Sequence, residues 1–240
     1  MEKIYIEPKK SEREYRKLAV LGQKLGVPVP EVFLEIEVRM PDGRVLHHHK
    51  QRSHSWVRNG YNILVSNMCQ INGSDGAFGA GFINLKTTGG ATISSANGCS
   101  HEWHNFENAD GKDYRGAAGI TTNGIVVGSN AAAENFENSA LGTLIANGVG
   151  AGQLSYVQGD APVKSYNAGT LTYQVVHVRY MNNNSGGDVI VNEVGIYGSN
   201  YLDGSTKAYM VSRDKLGATV TVPNTGQLKV TYTFQTVYPA

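Results

Sequence analysis

Carboxylates beside aromatic side chains are the residues of this chain whose types and spacing come nearest to enzyme chemistry. Glu193 stands in the alternating segment "DVIVNEVGIYG", with Asp188 at its start and Asp214 in the next apolar segment. A glycosidase needs two carboxyl groups about 5 to 9 Å apart in a groove, usually lined by aromatics. Tyr173, Tyr180, Tyr197, Tyr209 and Tyr232 are all nearby in sequence. Strand alternation, however, places Val189, Val191 and Glu193 on one face and Ile190, Asn192 and Val194 on the other. Gly195 is expected to mark a bulge that resets this register. A carboxylate on so apolar a face is expected to accept loop amides, or to pair with Arg179 or Arg213. The role expected of Glu193 is therefore structural rather than catalytic.

Other candidate chemistry fails on spacing. In "LHHHKQRSH" only His47 and His49 share a strand face, two ligands short of a zinc set, so an exposed polar strand is expected. "HEWH" at 101–104 has Asn105 where a metalloprotease motif needs its second histidine. In "ENADGKDYRG" Asn108 and Asp110 suit a calcium loop, but Lys112 occupies the third ligand position. The glycine clusters at 76–81 and 148–152 lack the Lys-Ser/Thr of a phosphate loop. No metal and no cofactor is expected. The sequons at Asn72 and Asn183 carry little meaning without a leader segment. Two cysteines, Cys69 and Cys99, are too few for a disulfide framework.

The bulk composition points to turn-rich β structure. Charged residues are 17% of the chain, against about 25% usually, and 29 of its 240 residues are glycine. A net charge of +1 suggests neither a nucleic-acid nor an acidic-membrane partner. The first residues contain no apolar leader and no run is long enough to span a bilayer, so synthesis in the cytoplasm is expected.

Charge is uneven along the chain. Residues 1–60 hold 12 Lys/Arg and 8 Asp/Glu, leaving 9 and 12 for the remaining 180. Ser11 and Glu14 fit a capping box, with Tyr15, Leu18, Leu21 and Leu25 at helical spacing, so a helix is expected over 11–25. "EVFLEIEVRM" alternates cleanly as a strand, and "PDG" turns it back into "RVLHHHKQR". A second helix follows, with Trp56, Tyr61, Leu64, Val65 and Met68 on one apolar stripe. Residues 1–70 thus read as a helix–hairpin–helix docking region, and 71–120 as Gly/Ser/Asn-rich loops and short strands. Strands between turn signals fill 121–240, closing with a two-strand unit around "PNTG". The expected fold is mainly β (α+β overall), with a C-terminal antiparallel β-sandwich or jelly-roll-like domain.

The series "GIVVGSN", "ALGTLIANG", "GQLSYV", "VRYMNNNSGG", "VIVNEVGIYG", "YMVSRDKL" and "TGQLKVTYTFQTVYP" resembles structural proteins of tailed-bacteriophage virions, the tail-, baseplate- or capsid-attached β-rich proteins. "SHSWVRNGYNILVSNM" looks like the helix that such proteins carry ahead of the β domain. The resemblance covers roughly 52–68 and 123–238. It implies a non-enzymatic virion component, homo-oligomeric, binding neighbouring capsid or tail proteins. It also implies a hairpin turn at Asn183, Asn184 and Ser185, and a structural set of Glu193, Arg213 and Asp214. The charged N-terminal segment lies outside it and is expected to dock to a specific neighbour. Two other functions fit the residues. One is a host-surface glycan-binding module of a tail fibre, with Trp103 and Tyr197 as ligand-facing aromatics. The other is a polysaccharide-degrading enzyme using Glu193 with Asp188 or Asp214.

Overall fold

The computed structural model describes residues 4–5, 9–53, 55–69, 84–93, 114–202 and 205–238. The chain order is β1 (Ile4–Tyr5), α1 (Lys9–Leu25), β2 (Pro30–Arg39), β3 (Val45–Arg52), α2 (Arg58–Cys69), β4 (Leu85–Lys86) and β5 (Thr92–Ile93). After these come β6 (Gly124–Gly128), β7 (Ser155–Tyr156), β8 (Val163–Asn167), β9 (Thr172–Asn182), β10 (Val189–Leu202), β11 (Ser205–Val222) and β12 (Gln227–Val237). The fold is mixed α+β, with a helix–hairpin–helix region followed by extensive antiparallel sheet.

Helix α1 begins two residues before the expected start, so Ser11 lies inside it rather than capping it. It ends in a Schellman motif: Gly26 takes φ +66°, Val27 N donates to Gly22 O at 2.8 Å, and Gly26 N donates to Gln23 O at 3.3 Å. The predicted stripe of α1 is divided. Tyr15 stacks under the Arg52 guanidinium at 4.6 Å, while Leu18, Leu21 and Leu25 are 49%, 51% and 67% exposed.

On β2 the alternation reads as predicted, with Val32, Leu34, Ile36 and Val38 buried and Glu31, Phe33, Glu35 and Glu37 between them partly exposed. Its partner β3 differs from the exposed strand expected, since His49, Gln51 and Arg52 are buried. The hairpin joins the C-terminal β structure directly. β2 pairs with β12 from Arg39↔Gln227 to Pro30↔Thr236, and the large sheet runs β1-β3-β2-β12-β9-β7, with β8 also on β9. A second sheet, ordered β11-β10-β6, shares one hydrophobic core with the first.

Two connections change sheets. β9 and β10 lie in different sheets, so residues 183–188 form a crossover corner and not the expected hairpin turn. Likewise β11 and β12 do not pair with each other, and "PNTG" is a second crossover rather than the centre of a two-strand unit. The two corners grip each other. Asn183 N donates to Gly226 O at 2.8 Å, and Thr225 N donates to Asn183 O at 2.7 Å.

Helix α2 reverses its expected orientation. It starts at Arg58, leaving Trp56 in a β-bridge with Ser212. Its buried side is polar: Asn59 Nδ2 donates to Lys86 O and Met210 O, its Oδ1 accepts Lys86 N, and Asn62 Nδ2 donates to Asn84 O. These amides satisfy strand backbone that would otherwise be buried unpaired. Tyr61, Leu64 and Val65 consequently face outward.

Candidate functional site

Glu193 and Arg213 form the centre of the polar interior. They sit on adjacent antiparallel strands, with Glu193 opposite Lys215 and Gly195 opposite Arg213. Arg213 Nε donates to Glu193 Oε2 at 2.7 Å, with the carboxylate fully buried and the arginine side chain 3% exposed. The carboxylate also accepts Gly142 N at 3.1 Å and Thr143 N at 2.9 Å. Arg213 donates onward to Ala133 O, Asn138 Oδ1 and Ala132 O. Salt bridge and loop form one unit: the long segment after β6 buries Leu141, Ile145 and Leu154 in the core, and these two charges fasten its polar stretches.

Neighbouring groups secure the same loop. Tyr197 Oη accepts Leu141 N at 2.8 Å, and Asn192 Nδ2 donates to Ser129 O at 2.8 Å. Tyr197 is 3% exposed, and burial raises its phenol to about 12, so it is not the ligand-facing aromatic expected from sequence. Gly128 lies opposite Glu193 because a Cβ there would meet Glu193 Oε1 and Thr143 O.

Gly195 does not mark a bulge. The register shifts fall on either side of it, between Val191 and Glu193 and between Ile196 and Tyr197. Gly195 is instead a place of close approach, where a Cβ would come to 2.9 Å from Leu141 Cδ2. The first shift is held from the other sheet: Gln51 Nε2 donates to Lys215 O at 3.1 Å, and Gln51 Oε1 accepts Gly217 N at 3.2 Å and faces His49 Nε2 at 2.5 Å.

Asp214 binds across the core, away from the loop. Its Oδ2 accepts Ser53 Oγ at 2.7 Å and Tyr232 Oη at 2.8 Å, tying β11 to the large sheet. Burial, and then the adjacent carboxylate, push the Tyr232 phenol well above its ordinary value. Glu193 and Asp214 thus have separate partner sets, and Asp188 is exposed at the start of β10. The structure does not bring these three carboxylates into one groove.

Of the two arginines named as partners for Glu193, Arg179 is the one with a different task. It does not pair with Glu193. All five of its N–H groups go to backbone carbonyls: Val157 O from Nε, Asn123 O and Ile125 O from Nη1, Ala117 O and Ile120 O from Nη2. The guanidinium also lies over Tyr156 at 4.9 Å. Burial lowers its pKa to about 10. One arginine inside the apolar run "VVHVRYM" was the signal available in the sequence.

Asn183, fully buried, clasps the two corners with its side chain. Nδ2 donates to Gly187 O at 2.8 Å and Val222 O at 2.7 Å, while Oδ1 accepts Ser185 N and Ser185 Oγ. Trp103, the "HEWH" segment and the Asn108–Asp110 loop lie outside the described residues. Among the described residues no cluster of three or more His, Cys, Asp or Glu could hold a metal ion, and no helix is long and apolar enough to cross a membrane.

Comparison with protein-family models, curated proteins and solved structures finds no match to this chain. Function must be argued from the residues. The buried charges hold loops, corners and sheets, and both helices carry outward apolar groups, Leu18, Leu21 and Leu25 on α1 and Tyr61, Leu64 and Val65 on α2.

Proposed function

We propose that this chain is a non-enzymatic structural component of a tailed-phage virion, associating with copies of itself and with neighbouring capsid or tail proteins during assembly. In this reading the two sheets pack face to face as a β-sandwich, and the N-terminal helices are its docking elements. The observation that carries it is the outward apolar face of both helices. α1 presents Leu18, Leu21 and Leu25 at the 3–4 spacing of a helix–helix seam, and α2 presents Tyr61, Leu64 and Val65 beside Phe136. The sequence resemblance to virion proteins supports the same role. The commitment of Glu193, Arg213, Asp214 and Arg179 to internal bonds supports an architecture built for rigidity.

The test is assembly. Light scattering on the purified chain should give a defined oligomer, and Leu18→Ser/Leu21→Ser/Leu25→Ser should reduce it to monomer without lowering the melting temperature. Co-sedimentation with purified tailed-phage particles should retain the parent chain and lose the triple variant. A strictly monomeric parent chain with no affinity for particles would overturn the reading.

A further inference from the structure

We propose that Tyr166, Tyr173 and Tyr238 form a saccharide-binding platform at the open end of the large sheet. Tyr166 on β8 and Tyr173 on β9 are directly opposite in antiparallel register, so their side chains share one face. Tyr238 follows β12 and reaches the same patch, its ring centroid 6.0 Å from that of Tyr166 at an interplanar angle of 36°. The three are 52%, 37% and 46% exposed.

The platform is built rigidly. Tyr238 N donates to Leu171 O at 2.8 Å, and Leu171 holds φ 51° in the β8–β9 turn. Asn167 Oδ1 closes that turn by accepting Gly169 N and Thr170 N, and Thr170 Oγ1 donates to Thr172 Oγ1. Rings fixed by strand register and a locked turn lose little freedom when a ligand stacks on them.

Size and chemistry select the occupant. At this exposure three tyrosines offer roughly 300 Å² of surface, well short of the about 800 Å² per partner in a standard protein interface. Each ring is apolar on its face and carries a hydroxyl at its tip. Lys164 lies two residues before Tyr166 and so on the same face of β8, while the next register pair, Asn167 and Thr172, alternates to the other face. Flat apolar faces tipped by three phenol hydroxyls, with one cation on the same face, match a pyranose, whose C–H face stacks while its hydroxyls hydrogen-bond at the edge. The class of ligand is an oligosaccharide, and the site is independent of the helices that carry the assembly role.

The experiment is a printed array of bacterial surface glycans probed with the labelled full chain, followed by titration with the best-bound oligosaccharide. The parent chain and Val149→Ala, which alters an exposed apolar side chain elsewhere, should bind alike. Tyr166→Ala/Tyr173→Ala should weaken binding by about tenfold or more, and the milder Tyr166→Phe/Tyr173→Phe should retain the stacking share. Melting curves of both double variants should match the parent. An array without hits overturns the proposal, as does equal binding by the alanine variant. Loss of an oligomer in the alanine variant by light scattering would also overturn it, by making the patch an interface between copies.

Discussion

Arg213 Nε lies 2.7 Å from Glu193 Oε2 in a site closed to solvent, and both partners fasten the same loop, Arg213 through residues 132–138 and Glu193 through 142–143. The first prediction follows from this joint anchoring. Arg213→Met leaves a buried carboxylate without its counter-ion, a loss of about 3–5 kcal/mol. Glu193→Gln keeps the shape but turns an amide donor toward loop N–H groups, and it also destabilises. The double variant should lose less than the sum of the singles in urea unfolding. Equal stability of Glu193→Gln and the parent chain would show that the carboxylate is not the anchor.

Arg179 gives a sharper substitution. Lysine has three donors for five carbonyls and no planar fork to reach them. Arg179→Lys should therefore lose about 3 kcal/mol or more, although its charge is conserved. Thermal unfolding of Arg179→Lys against the parent measures it, and an unchanged midpoint would reject the five-carbonyl cradle.

At the crossover corners, Asn183→Ala removes two donated and two accepted hydrogen bonds from a fully buried position. The cost expected is about 2–4 kcal/mol. Asn183→Asp should be at least as damaging, because it replaces both donations with a buried negative charge facing carbonyls. Chemical denaturation of the two variants checks the order.

His177 sets a pH dependence. Burial, helped by the nearby positive charge of Lys164, lowers its pKa from the ordinary 6.5 to about 4. Between those values the unfolded chain binds a proton that the folded chain refuses. Acidification from pH 6.5 toward 4 therefore removes stability, and above pH 6.5 this group contributes no slope. The melting temperature of the parent should fall more between pH 7.5 and 5 than that of His177→Gln. Identical falls would assign the acid sensitivity to other groups.

Period and turn chemistry made much of this fold legible. The β2 alternation, the "PDG" hairpin and the long strands near 172–182 and 189–202 follow from residues that favour one local geometry. What remained hidden was decided by partners distant in sequence. Nothing in "NNNSGGD" or "PNTG" says whether a turn returns within a sheet or crosses to another, since both need the same polar, glycine-rich residues. The α2 stripe misled because Asn59 and Asn62 are polar by composition yet buried, where strand backbone needs them. The apolar face around Glu193 predicts that it accepts loop amides or pairs with an arginine, and it does both, with Arg213. That Arg179 is held by five carbonyls and not by a carboxylate depends on how 117–125 folds over it, which no local pattern contains.

The central place of β12 bears on how the chain assembles as it is made. Gln235 Nε2 donates to Glu31 Oε2 at 2.9 Å across 204 residues, and β12 lies between β2 and β9. Until β12 emerges from the ribosome, the hairpin and β9 have no common neighbour and each presents an unpaired edge. Such non-local closure is slow and leaves strands open to wrong partners. Ending the chain before Gln227 would thus produce two unjoined half-sheets with a tendency to aggregate, rather than a shortened form of the same molecule.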